Sequence, residues 1–481
     1  MASDASARVG APALRPAAAQ HPRSTRGRLV TPVLATGSLV VSLTQTLVVP
    51  VLPTLPATLQ VNASTASWLV TVTVVVAAAC NPVLGRLGDQ FGVRRMILTA
   101  QAMFVIGSLI CALTSNIAVL IVGRGLQGVS TAAIPLSISL IARLLPPEAR
   151  TAGIALVSAM LGIGGAIGLP LAGVIAQAWG FHGLFWVAAA IGLPTMVATR
   201  LLVPEVRAAG ARSPVDIAGG VLLLVSVTCL LVPLSRGTQW GWTAPETLGL
   251  LGVGVLGAVV FVWFELRRRF PMVDVRLARS RSVALTNAAS VLVGFGLFVS
   301  FLGTTAVLQA PRSTGYGFGM SVLEAGLYQL PGGLVMALLS PVAARIIGSR
   351  GAREAMLAGT LILSLGFCLR VFLDERLWEV VGCAVVIACG TAIAYAAMPS
   401  LILAATPAGQ QAAATGLNAL ARLLGTSLCS AVFGALTVGS AVTDLPTGAA
   451  YTLFFVLGAI TSLVAVAAVL AIDAAPAKTS T

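Results

Sequence analysis

The stretch Gly85-Arg86-Leu87-Gly88-Asp89-Gln90-Phe91-Gly92-Val93-Arg94-Arg95 lies between two long apolar runs and crowds glycines, one acid and three arginines together. With hydrocarbon on both sides, it reads as a tight cytoplasmic turn between two membrane helices. Gly85, Gly88 and Gly92 permit close backbone approach and a sharp reversal. Asp89 can face the positive end of a helix or an arginine, while Arg94 and Arg95 hold the turn at the cytoplasmic surface. A plain basic retention loop, which any membrane protein needs, is the competing reading. In either case the segment is too short to be a soluble domain.

The rest of the chain agrees with lipid as its solvent. It is 57% hydrophobic and only 9% charged, with a mean hydropathy of +0.98, whereas about a quarter of the residues in a soluble domain are charged. Apolar runs of twenty or more residues exclude a β-barrel, whose strands alternate over about ten. A net charge of +14 is compatible with a nucleic-acid partner, but its distribution argues against one. Of the 29 Lys and Arg, all except Arg124, Arg236, Arg312, Arg370, Arg376 and Arg422 fall in segments read as cytoplasmic. This is the positive-inside pattern with both termini cytoplasmic. Lys478 is the sole lysine, and the abundance of Arg and Ala hints at a GC-rich bacterial genome. The seven cysteines lie in apolar runs without ligand spacing, and the histidines are His21 and His182, so neither a disulfide framework nor a metal site is expected.

In chain order, residues 1 to 31 read as a disordered basic arm. Apolar runs at about 32 to 56, 67 to 87, 96 to 114, 118 to 145, 151 to 175 and 183 to 203 give a first set of six helices. Pro50, Pro53 and Pro56 are expected to bend or break the outer half of the first. A linker at 204 to 282 carries two further helices, about 216 to 234 and 247 to 268. A second six follows within 283 to 472: about 283 to 308, 322 to 346, 354 to 373, 378 to 404, 413 to 438 and 450 to 472, with a cytoplasmic tail at 473 to 481. The fold class is therefore all-α integral membrane, two six-helix bundles plus two inserted helices.

An internal repeat supports the division. Gly85 aligns with Ala344, Ala133-Ile134-Pro135 with Ala397-Met398-Pro399, and Gly153 and Gly162 with Gly416 and Gly425, at offsets of 259, 264 and 263. Parallel halves related by an axis along the membrane normal place a binding site between them near the midplane. Gly348 occupies the position of Asp89 in the second copy, so an asymmetric inner gate is expected.

The opening stretch resembles the loop signature between the second and third helices of the major facilitator superfamily, transporters built from two six-helix halves. The resemblance implies that Gly85, Asp89, Gly92 and Arg94 act as an inner gate. Arg124-Gly125-Leu126-Gln127-Gly128 looks like the fourth-helix arginine motif of the same family, linked there to proton coupling. An arginine inside a span costs about 2.5–3.5 kcal/mol on insertion scales, so Arg124 should face a cavity or a partner, although snorkelling to the outer surface remains open. Gln127, or backbone carbonyls around Gln45 and Pro50, are its candidate partners.

Gly162, Gly164, Gly165, Gly168, Pro170 and Gly173 form a stretch similar to the antiporter signature of drug-exporting members, with Pro170 one place late. A generic small-residue packing face is the alternative. The two inserted helices and Gly315-Tyr316-Gly317-Phe318-Gly319 resemble the fourteen-helix drug:proton antiporter branch, a likeness covering about residues 30 to 472. One departure stands out: many members carry an acid and an asparagine in the first helix, where this chain has Thr44 and Val49. Few acids remain for protonation. Glu265 reads as a local ion pair with the following arginines. Glu324 and Glu379 open helices on the outer side, and Glu324 is favoured as proton carrier because desolvation at a cavity mouth would keep its carboxyl protonated. Gln45, Trp68, Phe301, Tyr328 and Tyr395 are candidate cavity residues for amphipathic or cationic cargo, with ordinary aromatic packing as the alternative.

The expectation is a monomeric bacterial inner-membrane antiporter that uses the proton gradient, without a cofactor, to export small amphipathic or cationic drugs. Its partners would be the substrate, protons and the lipid bilayer. The alternatives are uptake of a nutrient or metabolite, or a non-transporting membrane sensor. No Walker loop or Ser-His-Asp set argues for an enzyme.

Overall fold

In the computed structural model of the protein, residues 25–48, 51, 52, 54–206, 214–437 and 446–472 are described, and every regular element among them is helical. The bulk of the basic arm, Pro50, Pro53 and the C-terminal tail lie outside the described residues. The membrane-length helices are α1 (Thr25–Leu47), α2 (Ala63–Phe91), α3 (Val93–Leu113), α4 (Ile117–Leu144), α5 (147–179), α6 (181–202), α7 (Ile217–Trp240) and α8 (Pro245–Arg267). After them come α9 (Arg281–Gln309), α10 (Val322–Arg350), α11 (Ala352–Phe372), α12 (Leu377–Ala404), α13 (Gln411–Leu436) and α14 (Gly448–Leu470).

Helices α5 and α6 are continuous over 56 residues except at Gly180, whose φ of 67° and ψ of −175° are non-helical. An unbroken helix of that length would be about 84 Å long, against a hydrocarbon core of about 30 Å, so it must cross twice. Counting that break, the thirteen apolar helices among the described residues supply fourteen crossings. Helix α1 starts at Thr25 rather than at 32, so the proposed arm is partly helical.

The opening stretch is not the turn expected of it. Gly85 to Phe91 are the last two turns of α2, and the reversal is made by Gly92 alone, at φ 113°. The helical hydrogen bonds continue because Gly85 and Gly88 serve packing rather than turning. Gly351 (φ 98°) makes the same one-residue break between α10 and α11, and 351 less 92 is again 259. Side-chain caps start three of the other helices: Asn62 accepts from Thr65 N at 2.6 Å on α2, Asn116 from Ala118 N at 2.9 Å on α4, and Asp216 from Gly219 N at 2.8 Å on α7. Each satisfies backbone donors that the first turn leaves open.

Packing follows the repeat. In the first half α1 lies along α5, where a Cβ on Gly164 or Gly168 would strike Ser42 or Thr46. In the second half α9 lies along α13, with Gly294 against the backbone of Arg422 and Gly425 against that of Val291. The halves meet along two seams, α2 with α13 and α5 with α10, which the repeat relates to one another. Helix α7 covers the first seam from outside, Leu223, Val227 and Leu231 packing with Val75, Ala78, Ala79 and Leu420. Helix α8 turns Val253, Val255, Leu256, Val259 and Trp263 outward, as a lipid-facing helix should.

Candidate functional site

Asp89, on the last turn of α2, ties three elements together at the end of the molecule where the basic turns lie. Its carboxylate accepts from Ala412 N at 3.2 Å and Ala413 N at 2.9 Å, the first turn of α13. It also pairs with Arg143 near the end of α4. The acid is 4% exposed. An anion at a helix N-terminus satisfies free N–H groups and meets the positive end of the dipole. Both partners foreseen for it are therefore present at once, and one side chain joins the two halves. The backbones there touch: a Cβ on Gly85 would lie 2.3 Å from Ala412 O, and one on Gly416 would lie 2.4 Å from Asn81 O.

Arg94 takes a different part from Arg143. Its guanidinium donates to Arg200 O, within the first half. Beside it Glu205 faces Arg95 at 3.7 Å; burial raises the Glu205 carboxyl, with Arg95 and Arg94 pulling it back. A Cβ on Gly92 would meet Glu205 Oε1 at 2.5 Å, so Gly92 and Arg94 fasten the turn to the following linker. Gly348, opposite Asp89 in the repeat, has open space around it, which makes the basic end asymmetric.

Between the halves lies a cavity of about 230 Å³. Gln45, Phe301, Tyr328 and Tyr395 line it, together with Ser42, Thr46, Asn81, Thr131, Gln329 and Arg422. Trp68 does not. It packs at a tilt against Trp240 with centroids 6.5 Å apart and lies under the Arg236 guanidinium at 4.3 Å, because α7 occupies the outer side of α2. The glycine-rich part of α5 divides by face. Gly164 and Gly168 meet α1, Gly162 meets Met336 of α10, Pro170 seats against Gly326, Gly173 approaches Leu323, and Gly165 borders the cavity.

Arg124 is buried, with Nε donating to Leu69 O at 3.0 Å and Nη1 to Gln127 Oε1 at 2.7 Å. Gln127 in turn donates to Ser108 Oγ at 2.8 Å. The Gln127 partner is the one expected; the carbonyl comes from α2, not from the region of Gln45 and Pro50, since α4 packs on α2 rather than α1 at this level. Arg124 is thus a neutral-paired strut between α2, α3 and α4 and is not among the cavity residues.

The outer acids sit elsewhere than expected. Glu324 is at the exposed start of α10, where its carboxylate accepts from Ser321 N at 2.8 Å and the Ser321 hydroxyl in turn accepts from Glu324 N at 3.2 Å. Glu379 accepts from Arg376 N at 3.0 Å in the same way at α12. The first is a capping box and the second half of one, because an arginine side chain has no acceptor; neither acid is among the residues lining the cavity. Glu265 is buried, and its neighbour Arg268 pairs instead with Asp216 at 3.5 Å. On the expectation of proton-driven transport set out from the sequence, Glu324→Gln should leave the initial rate in vesicles within about twofold, since a cap amide still accepts one hydrogen bond; a loss beyond tenfold would restore Glu324 to the proton path.

Two residues escaped the sequence reading. Arg143 was placed among the cytoplasmic basic residues, and nothing in its spacing points to Asp89. Arg422 was seen within a helix, and the argument applied to Arg124 would have singled it out.

The sequence profile of the Major Facilitator Superfamily matches residues 34–347. The multidrug resistance protein Stp of Mycobacterium tuberculosis is 32% identical over 73% of this chain, and the match spans 64% of Stp, just under two thirds of its length. The tetracenomycin C resistance and export protein of Streptomyces glaucescens is 28% identical over 84% of this chain and 74% of its own. Among solved structures, the human organic anion transporter MFSD10 (TETRAN) superposes with a TM-score of 0.63 at 19% identity, covering 92% of this chain and all of the other; that likeness concerns the fold.

Proposed function

Since the chain belongs to the Major Facilitator Superfamily and is a multi-pass membrane transporter, we propose that it is a proton-coupled antiporter that exports small amphipathic compounds from a bacterial cell by alternating access. The observation that carries this reading is the cavity between the halves, closed at the basic end by Asp89 across the α2–α13 seam. Halves that meet there through backbone contacts, the Asp89 carboxylate and a hydrogen bond from Thr415 Oγ1 to Pro135 O at 3.2 Å can separate there and close elsewhere, and cargo and proton each bias that equilibrium. The names of the relatives, multidrug resistance and tetracenomycin C export, favour outward transport of drug-like molecules.

Asp89 is also the acid best placed to couple a proton. Its charge is what attracts the α13 N-terminus and Arg143, and a proton on it would weaken both attractions at once. None of the described cavity residues is a carboxylate. The basic end then faces the cytoplasm, in keeping with the arginine distribution.

Inverted vesicles energised so that the lumen is acidic, with protons driven outward, should accumulate a panel of amphipathic dyes when they contain the protein, and collapse of the gradient should release them. No accumulation above protein-free vesicles, or accumulation only in right-side-out vesicles, would overturn export.

A further inference from the structure

We infer that the cargo this cavity selects is an anion, specifically an aromatic compound bearing a carboxylate or similarly flat oxyanion, held by Arg422. The inference rests on the export reading above and narrows its substrate class.

Arg422 on α13 is the one charged side chain among the described residues lining the cavity. It is 7% exposed. Its Nη1 donates to Asn418 Oδ1 at 2.9 Å, and Asn418 is held in that orientation by giving its own Nδ2 hydrogens to Asn287 Oδ1 at 3.0 Å and Ser290 Oγ at 2.8 Å of α9. The guanidinium carbon stands 5.3 Å from the Tyr395 ring centroid. All of these partners are neutral, and no described carboxylate forms an ion pair with Arg422. A cation kept in a water-poor site on neutral supports retains its attraction for an anion, and a guanidinium offers a planar fork of donors that matches two oxygens of a carboxylate.

The remaining walls suit an aromatic body. Phe298 and Phe301 are stacked at 5.9 Å, and Phe301, Tyr328 and Met336 border the same space. Its volume of about 230 Å³ lies below the range of drug-sized ligand sites, which starts at about 300 Å³, so it suits a small ring system. A cationic drug would find no counter-charge here, would be repelled by Arg422, and would find the Tyr395 face already shared with that guanidinium.

The test uses the full chain in nanodiscs of neutral lipid and three probes sharing one ring system, 2-naphthoate, 2-naphthamide and 2-naphthylmethylammonium, with binding read by equilibrium dialysis against empty nanodiscs. The wild-type protein should bind naphthoate at least about tenfold more tightly than naphthamide, with the ammonium compound weakest. Arg422→Gln should weaken naphthoate about 10- to 100-fold, the span expected for a lost charge-assisted hydrogen bond, while naphthamide stays within about twofold. Arg422→Lys should restore part of the preference. Equal affinity for the three, tightest binding of the cation, or no naphthoate binding at millimolar concentration overturns the assignment without any variant having to fold. Proton-driven dye accumulation with no charge preference would sink the anion assignment and leave export standing. Charge-selective binding without proton-driven movement would do the reverse.

Discussion

Asp89→Asn should abolish proton-driven export, leaving less than about a hundredth of the wild-type initial rate in energised vesicles. The asparagine is nearly isosteric but brings one accepting oxygen, where the carboxylate serves Ala412 N, Ala413 N and Arg143. It also leaves the Arg143 guanidinium, 9% exposed, without a counter-charge. Removing one member of a buried pair costs about 3–5 kcal/mol, or a factor of about 150 to 5,000 in the closed population. Arg143→Gln should be damaging as well, and the double variant should lose less than the sum of the single losses, because each single change strands the other group. Full additivity of the two, or export by Asp89→Asn above a tenth of wild type, would remove Asp89 from the centre of the mechanism.

The second large effect is steric. Gly416→Val and Gly85→Val place carbon where Asn81 O and Ala412 O already stand, at 2.4 and 2.3 Å from a bare Cβ. Backbone atoms cannot step aside as a flexible side chain can, so α2 and α13 must part, and overpacking of this kind costs about 1–3 kcal/mol or more. Either variant should insert normally yet export at under about a tenth of the wild-type rate. Gly348→Ala, with open space around it, is the internal control and should export within about twofold. If the valine variants matched Gly348→Ala, the seam would not be a closing contact.

The architecture was legible in the sequence because its physical causes are local. Hydrocarbon thickness sets the length of each run, the asymmetric arginines set a sidedness, and the repeat set the pairing of halves. The site was only partly legible because glycine carries two meanings. Gly85 and Gly92 look alike in a one-dimensional reading, yet the first is helical and faces α13 while the second makes the turn. Which meaning holds depends on a partner far away in the chain, and Asp89 finds its own 324 residues further on. Glu324 was misplaced for a related reason: the same Ser-x-x-Glu pattern that caps a helix was given a role that required burial, and capping keeps it in water. Trp68 could not be assigned to α7 instead of the cavity without knowing where the inserted hairpin docks.

Helix α13 carries Ala413 at the Asp89 contact and Arg422 at the cavity, nine residues apart, or about 14 Å of continuous helix. Latch and cargo anchor therefore share a single stiff rod. When an occupant draws the arginine sideways, the far tip must swing with it, and no chain of intermediary side chains is needed to carry the message.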